Sequence, residues 1–206
     1  MMDMKKLVGL CLGLMMVIIE SAAVATPAEA KTNKTIKSKA SGSFVSANFD
    51  FDHADLSTPA FYVQGEGIGN AGKFTYQAVV EVAPDGQPCT VPGRASGAGN
   101  EFTLVGRVEV LRVTATGDLL FLSSTPNANS IKLCADFSTS PTPPFPYVVT
   151  EETGVVTGGT GALAGATGTF SATEKGAFLS TDPTGKTGFG GFGWFKSHVV
   201  TTLTLP

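Results

Sequence analysis

The sequence predicts an all-β fold, an eight-stranded antiparallel β-barrel formed by a single domain over residues 43–206. Three observations carry that expectation. Apolar side chains recur at every second position, as they must where alternate side chains point to opposite faces of a strand. The chain holds 25 Gly and 12 Pro among its 206 residues, the poorest helix formers and the commonest turn formers. No stretch shows convincing helical amphipathicity. Short antiparallel strands joined by turns suit a sandwich or a barrel, and the barrel is preferred because closure removes exposed strand edges.

Composition narrows the classes of function. Charged residues make up 15% against a usual ~25%, while the hydrophobic fraction of 42% is ordinary, so the chain is not a disordered tail. A net charge of −3 supplies no basic excess to neutralise phosphates, which argues against a nucleic-acid partner. The length suits one domain.

Lys5 and Lys6 precede an apolar run from Leu7 to Ile19, followed by Ala23-Val24-Ala25 and Ala28-Glu29-Ala30. A basic flank, a short apolar stretch and a small-residue cleavage site predict a secretory signal peptide over residues 1–30, cut after Ala30 in preference to Ala25. Thirteen apolar residues span only ~20 Å, short of the ~30 Å hydrocarbon core, so a membrane helix fits poorly. No other stretch reaches spanning length, and the expected product is secreted, extracellular or periplasmic. Cys11 follows Leu10 inside the run, so lipid attachment is not expected. Residues 31–42, carrying Lys31, Lys34, Lys37 and Lys39 without apolar periodicity, read as a solvated, mobile leader. Beyond Lys39 there are 8 basic against 14 acidic residues.

The strands follow in order. Phe61, Val63, Gly65 and Gly67 alternate with Tyr62, Gln64 and Glu66. Asn70-Ala71-Gly72 joins that strand as a hairpin to the next, where Phe74, Tyr76, Ala78, Val80 and Val82 alternate with Lys73, Thr75, Gln77 and Glu81. Pro84-Asp85-Gly86 ends it with turn chemistry. Phe102 to Thr114 reads as a strand in which adjacent Val110-Leu111 breaks the alternation and marks a place for a bulge. Thr116-Gly117-Asp118 turns into Leu119 to Ser123. Ser130 to Phe137 puts Ile131, Leu133 and Ala135 on one face and Cys134 on the other. Pro141 to Pro146 is a connector, and Tyr147 to Val156 resumes a strand. Ala166, Gly168, Phe170 and Ala172 alternate with Thr167, Thr169, Ser171 and Thr173, and a long aromatic strand runs from Phe189 to Leu205. With the signal removed, Cys89 and Cys134 remain, 45 positions apart. An even pair in an exported chain predicts a disulfide, and neither cysteine has neighbours at a metal-site spacing.

The most distinctive segment runs Val155-Val156-Thr157-Gly158-Gly159-Thr160-Gly161-Ala162-Leu163-Ala164-Gly165-Ala166-Thr167-Gly168. It is not a dinucleotide loop: the second and third glycines of that pattern would fall on Ala162 and Ala164, and a strand rather than a helix follows. It resembles the Gly-Gly-Thr-Gly-x-[Phe/Leu]-x-Gly-Ala-x-Gly signature of bacterial secreted proteins related to the allene oxide cyclase barrel, of which plant dirigent proteins share a looser form. Gly69-Asn70-Ala71-Gly72-Lys73-Phe74-Thr75 looks like that family's hairpin, with Asn-Ala in place of a leucine-bearing turn. Ala115-Thr116-Gly117-Asp118-Leu119-Leu120 looks like its Asn-Gly-Asp turn. The resemblance covers roughly Ser43 to Pro206 and implies an eight-stranded barrel of calycin-like shape. Its functions do not transfer with the fold, and no catalytic residue is carried over.

Two imidazoles, His53 and His198, are available for acid–base work near neutral pH. His53 sits among Asp50, Asp52 and Asp55 in a stretch that reads as a solvated loop and matches no calcium or zinc spacing, so no metal site is expected. His198 reads as an exposed strand residue. Glu66, Arg107, Glu109 and Arg112 lie on strands, where an inward pair would orient a ligand and outward pairs would be cross-strand salt bridges. The candidate ligand-binding residues are Tyr62, Glu66, Tyr76, Glu109, Phe192 and Trp194, with no cofactor. The leading expectation is a secreted, non-enzymatic barrel that binds a small hydrophobic molecule or serves as an envelope or extracellular component. The alternative is an allene oxide cyclase-like or dirigent-like cyclase or isomerase, which needs an inward acidic residue beside an apolar cavity. A third is self-association through the final aromatic strand, leaving monomer and homo-oligomer both open.

Overall fold

The computed structural model describes residues 31–47, 49–51, 58–124, 131–137, 144–180 and 191–206. Nine antiparallel strands follow one another: β1 (Thr32–Ala47), β2 (Ala60–Gly69), β3 (Gly72–Cys89), β4 (Gly99–Val113), β5 (Leu119–Ser124), β6 (Ile131–Ala135), β7 (Phe145–Gly159), β8 (Thr167–Phe178) and β9 (Phe192–Leu205). β1 pairs with both β2 and β9, and β3 with both β2 and β4, so the sheet closes on itself. β5 and β6 share one place in the ring. Both lie between β4 and β7, β5 against Arg107 to Arg112 and β6 against Asn100 to Thr103. Nine strands thus fill eight places, and the all-β ring agrees with the alternation read from the sequence. One helical turn, Gly161–Leu163, interrupts it inside the glycine-rich segment. Among the described residues no helix is long and apolar enough to cross a membrane.

The local sequence accounts for most of these elements. The hairpin between β2 and β3 is closed by Asn70 and Ala71, with Gly69 opposite Gly72, whose φ of +103° suits a residue without Cβ. Asn70 also ties the turn to β1: its Oδ1 accepts the Lys37 N–H at 3.1 Å and its Nδ2 donates to the Thr35 carbonyl at 3.0 Å. Three expectations need correction. The lysine-rich stretch is not a mobile leader but most of β1. Ile36, Ser38 and Ala40 turn inward there while Lys37 and Lys39 face solvent, an alternation too polar to see without its partners β2 and β9. Pro84-Asp85-Gly86 does not end its strand; the chain makes an irregular excursion and β3 pairs again at Pro88 and Cys89. Val110 and Leu111 hold unbroken register with Gln77 and Tyr76, so the bulge in β4 lies elsewhere. The signal segment, His53, Pro141 and Phe189 lie outside the described residues.

The barrel interior holds two apolar clusters. One gathers Phe44, Phe61, Phe74, Tyr76, Tyr147, Phe178 and Phe195 among others, and the second gathers Leu120, Leu122, Val156, Ala166, Phe170 and Leu203. Edge-to-face contacts at 5.1 Å (Phe44–Phe178) and 5.5 Å (Phe44–Phe61) orient the rings. Gly65 and Gly67 on β2 make room for them: a Cβ at Gly67 would lie 2.3 Å from the Phe74 ring, and one at Gly65 would lie 2.8 Å from the Tyr76 ring. Cys89 and Cys134 lie at disulfide distance, with sulfurs 2.03 Å and Cα atoms 5.9 Å apart, linking the end of β3 to β6.

Candidate interior site

Two β-bulges aim charged side chains into the barrel. On β4, Gly106 faces Glu81 and Leu104 faces Val82, so Val105 has no opposite residue on β3. Phe102 and Leu104 point inward before the bulge, and Arg107 and Glu109 point inward after it. On β7, Thr150 and Glu151 together oppose Thr173. Tyr147 and Val149 point inward before that bulge and Glu152 after it. An extra residue in one strand inverts its side-chain parity, and both inversions deliver a charge to the interior. Glu174 arrives without a bulge, continuing the inward series Phe170 and Ala172 on β8.

These groups form two neighbouring hydrogen-bonded sets, Arg107 with Glu109 and Glu152, and Tyr147 with Glu174. Arg107 Nη1 donates to both Glu152 carboxylate oxygens, at 2.8 and 2.7 Å. Its Nε donates to Glu109 Oε2 at 3.0 Å, and its Nη2 reaches the same oxygen. Tyr147 OH donates to Glu174 Oε1 at 2.6 Å. Glu109 and Glu152 therefore share one guanidinium, whose charge also acts on Glu174. Burial pushes the Glu152 carboxyl up to about 7; the charges of Glu109 and Glu174 add to the rise and Arg107 opposes it. Burial also raises Glu174, against the pull of Arg107 and the Tyr147 hydroxyl. Burial, then the charge of Glu174, holds the Tyr76 and Tyr147 phenols protonated. For Arg107 burial alone works against the charge, but Glu152 and Glu109 more than offset it, so the guanidinium stays ionised. The two sets thus offer a carboxyl that exchanges its proton near neutral pH, a fixed cationic fork and a phenol donor.

Beside them lies a cavity of about 50 Å³, walled by Phe44, Phe61, Val63, Val80 and Val149 and bordered by Arg107, Tyr147, Glu152 and Glu174. At ~10–15 Å³ of accessible space per water it admits a few waters, well below the ~300 Å³ at which drug-sized ligand sites begin. Ser124, opposite Arg107 on β5, is buried, and its Oγ has no hydrogen-bond partner among the described residues.

Of the sequence candidates, Tyr76 and Glu109 belong to this interior. Tyr62 and Glu66 lie on the outer face of β2, and Phe192 and Trp194 on the outer face of β9, 48% and 38% exposed. His198 and Arg112 are also exposed on the outside. Sequence reasoning missed Tyr147, Glu152 and Glu174. Extending the alternation of Phe170 and Ala172 by one step would have found Glu174. Nothing local points to Glu152, because the parity of Tyr147 and Val149 leads to Glu151 instead.

No family model matches the chain, and no curated protein matches it. Among solved structures, a pterocarpan synthase dirigent protein aligns over 84% of this chain and 85% of its own, at 10% identity and a TM-score of 0.37. An enduracididine biosynthesis enzyme with HEPES buffer bound aligns over 85% of this chain and 87% of its own, at 11% identity and a TM-score of 0.19. Neither likeness carries a residue's role across to this chain.

Proposed function

We propose that the chain is an exported barrel that binds a small, mainly hydrophobic molecule in its interior, the polar end held by Arg107, Tyr147, Glu152 and Glu174. One observation carries the reading: an apolar cavity bordered by two inward carboxylates, Glu152 held by the Arg107 guanidinium and Glu174 by the Tyr147 hydroxyl. A barrel needing only stability does better without them, since well-packed apolar residues in place of buried ion pairs are often neutral or stabilising. A ligand larger than a few waters displaces cavity-wall side chains such as Phe44 or Phe61. Export rests on the segment from Lys5 to Ala30 and on the Cys89–Cys134 pair. The glycine-rich segment from Val155 to Gly168 supports kinship with the allene oxide cyclase-like barrels.

Native mass spectrometry of protein purified gently from its own source tests this reading, with Val63→Phe as the cavity-filling variant. The expected result is an added mass that is lost on denaturation and absent from the variant. Clean apo masses for both proteins would overturn it. A second reading, a cofactor-independent cyclase or isomerase, is favoured by the Glu152 carboxyl, which exchanges its proton near pH 7 beside the cavity. Under that reading, turnover of the molecule recovered shows an apparent pKa near 7 that disappears in Glu152→Gln.

A further inference from the structure

We propose that the outer face formed by β1, β2, β3, β8 and β9 is a second binding surface, and that its ligand is an acidic polysaccharide. The first observation is a concentration of positive charge in a protein whose net charge is −3. Lys39, Lys73, Lys175 and Lys196 all project outward on neighbouring strands. Lys196 stands directly opposite Lys175, and Lys39 directly opposite His198. Lys73 joins them through Ile68, which faces Lys73 on one side and Lys39 on the other. Like charges directly opposite each other across a strand pair destabilise a sheet. Among the described residues none of these lysines makes an ion pair, and the single carboxylate lining the face, Glu66, does not balance four ammonium groups. An anionic ligand would.

The second observation is the shape of the face. Two adjoining grooves of about 760 and 580 Å³ share Ser41, Glu66, Thr75 and Lys196, and so run on from one another. Small side chains at Ser41, Ser43 and Thr75 leave the depression between longer ones. Trp194 borders one end, its side chain 38% exposed, and Lys39 and Lys73 border the other. Gln64 and Gln77, opposite each other, add amide donors and acceptors near Trp194. Glu66 is the one carboxylate in the lining among the described residues.

Taken together, the lining offers an aromatic face, hydroxyls, amides and ammonium groups along one elongated depression. A polymer with apolar ring faces, many hydroxyls and repeated carboxylate or sulfate groups meets all four. A lipid surface fits less well, because Ser41, Ser43, Gln64, Thr75 and Gln77 set hydroxyls and amides along the depression where acyl chains would lie. A single-stranded nucleic acid calls for aromatic platforms repeated along a basic track; Trp194 is the exposed aromatic in the lining, and Phe192, exposed on the same face, stands outside it. The surface is independent of the interior site.

Titration calorimetry of the purified chain with polygalacturonate tests the proposal, with dextran as neutral control. Phosphatidylglycerol vesicles and a single-stranded oligonucleotide represent the other anions. The expected result is saturable binding to polygalacturonate that weakens with salt, and no heat with dextran. Lys39→Gln with Lys196→Gln lowers the affinity at least ~10-fold, while Lys132→Gln, outside the patch, leaves it unchanged. Trp194→Ala weakens binding without changing its salt dependence. The exposed substitutions leave the fold intact, which circular dichroism verifies. Absence of binding at low salt would overturn the proposal. So would an unchanged affinity in the double variant, an equal loss with Lys132→Gln, or tighter binding to the vesicles or the oligonucleotide.

Discussion

Replacing Glu152 by Gln removes one ionisation from the barrel interior while keeping the shape of the side chain. A Gln oxygen still accepts from Arg107, and Arg107 keeps Glu109, so no charge is left alone. The carboxyl rises from 4.5 to about 7 on folding, mainly through burial. The folded state therefore binds that proton more tightly than the unfolded chain does. The stability linked to it is fully present below pH 4.5 and is lost as pH rises through about 7. The cost of ionising Glu152 in place amounts to about 3 kcal/mol at pH 8. Gln mimics the neutral acid and escapes it. Glu152→Gln is thus expected to exceed the parent by about 3 kcal/mol at pH 8, or ~6–12 °C in Tm, and by less than ~1 kcal/mol at pH 5. Urea unfolding of both proteins from pH 5 to pH 8 measures the difference. A gap of constant size across that range, or a variant weaker than the parent at pH 8, would refute the placement of an under-compensated carboxyl at this position.

Arg107→Leu leaves the buried Glu109 and Glu152 carboxylates without a cation and costs ~3–5 kcal/mol at pH 8, with a smaller loss at pH 5, in the same urea assay. Replacing Cys89 and Cys134 by Ala opens a cross-link spanning 45 positions and lowers stability by about 4 kcal/mol on loop-closure entropy, seen as an earlier unfolding midpoint. Gly67→Val drives a Cβ to 2.3 Å from the Phe74 ring and 2.7 Å from the Lys39 carbonyl oxygen, and overpacking of that kind costs ~1–3 kcal/mol by thermal unfolding. Glu81→Leu removes the acceptor that holds the Phe51 N–H at 2.6 Å and the Thr58 hydroxyl. The expected loss is ~1–3 kcal/mol, with faster hydrogen exchange at the Phe51 amide.

Period-two alternation, turn residues and cysteine parity are local signals, and they were enough to read much of this protein. They identify β2, β3 and β8 with the correct inward faces, the Asn70-Ala71 hairpin, the turn before β5 and the Cys89–Cys134 pair. They do not reach features set by a partner strand. β1 is too polar to announce itself; its inward residues are defined by β2 and β9 on either side. The parity of β4 and β7 is decided by where each strand slips one residue against its neighbour, at Val105 and at Thr150 with Glu151. A bulge of one residue leaves little local mark, yet it turns every later side chain to the opposite face. Local residue order therefore determined the all-β class and the inward faces of β2, β3 and β8. Only the closed sheet decided that Arg107 and Glu152 meet inside it, because that meeting depends on register between strands far apart in sequence.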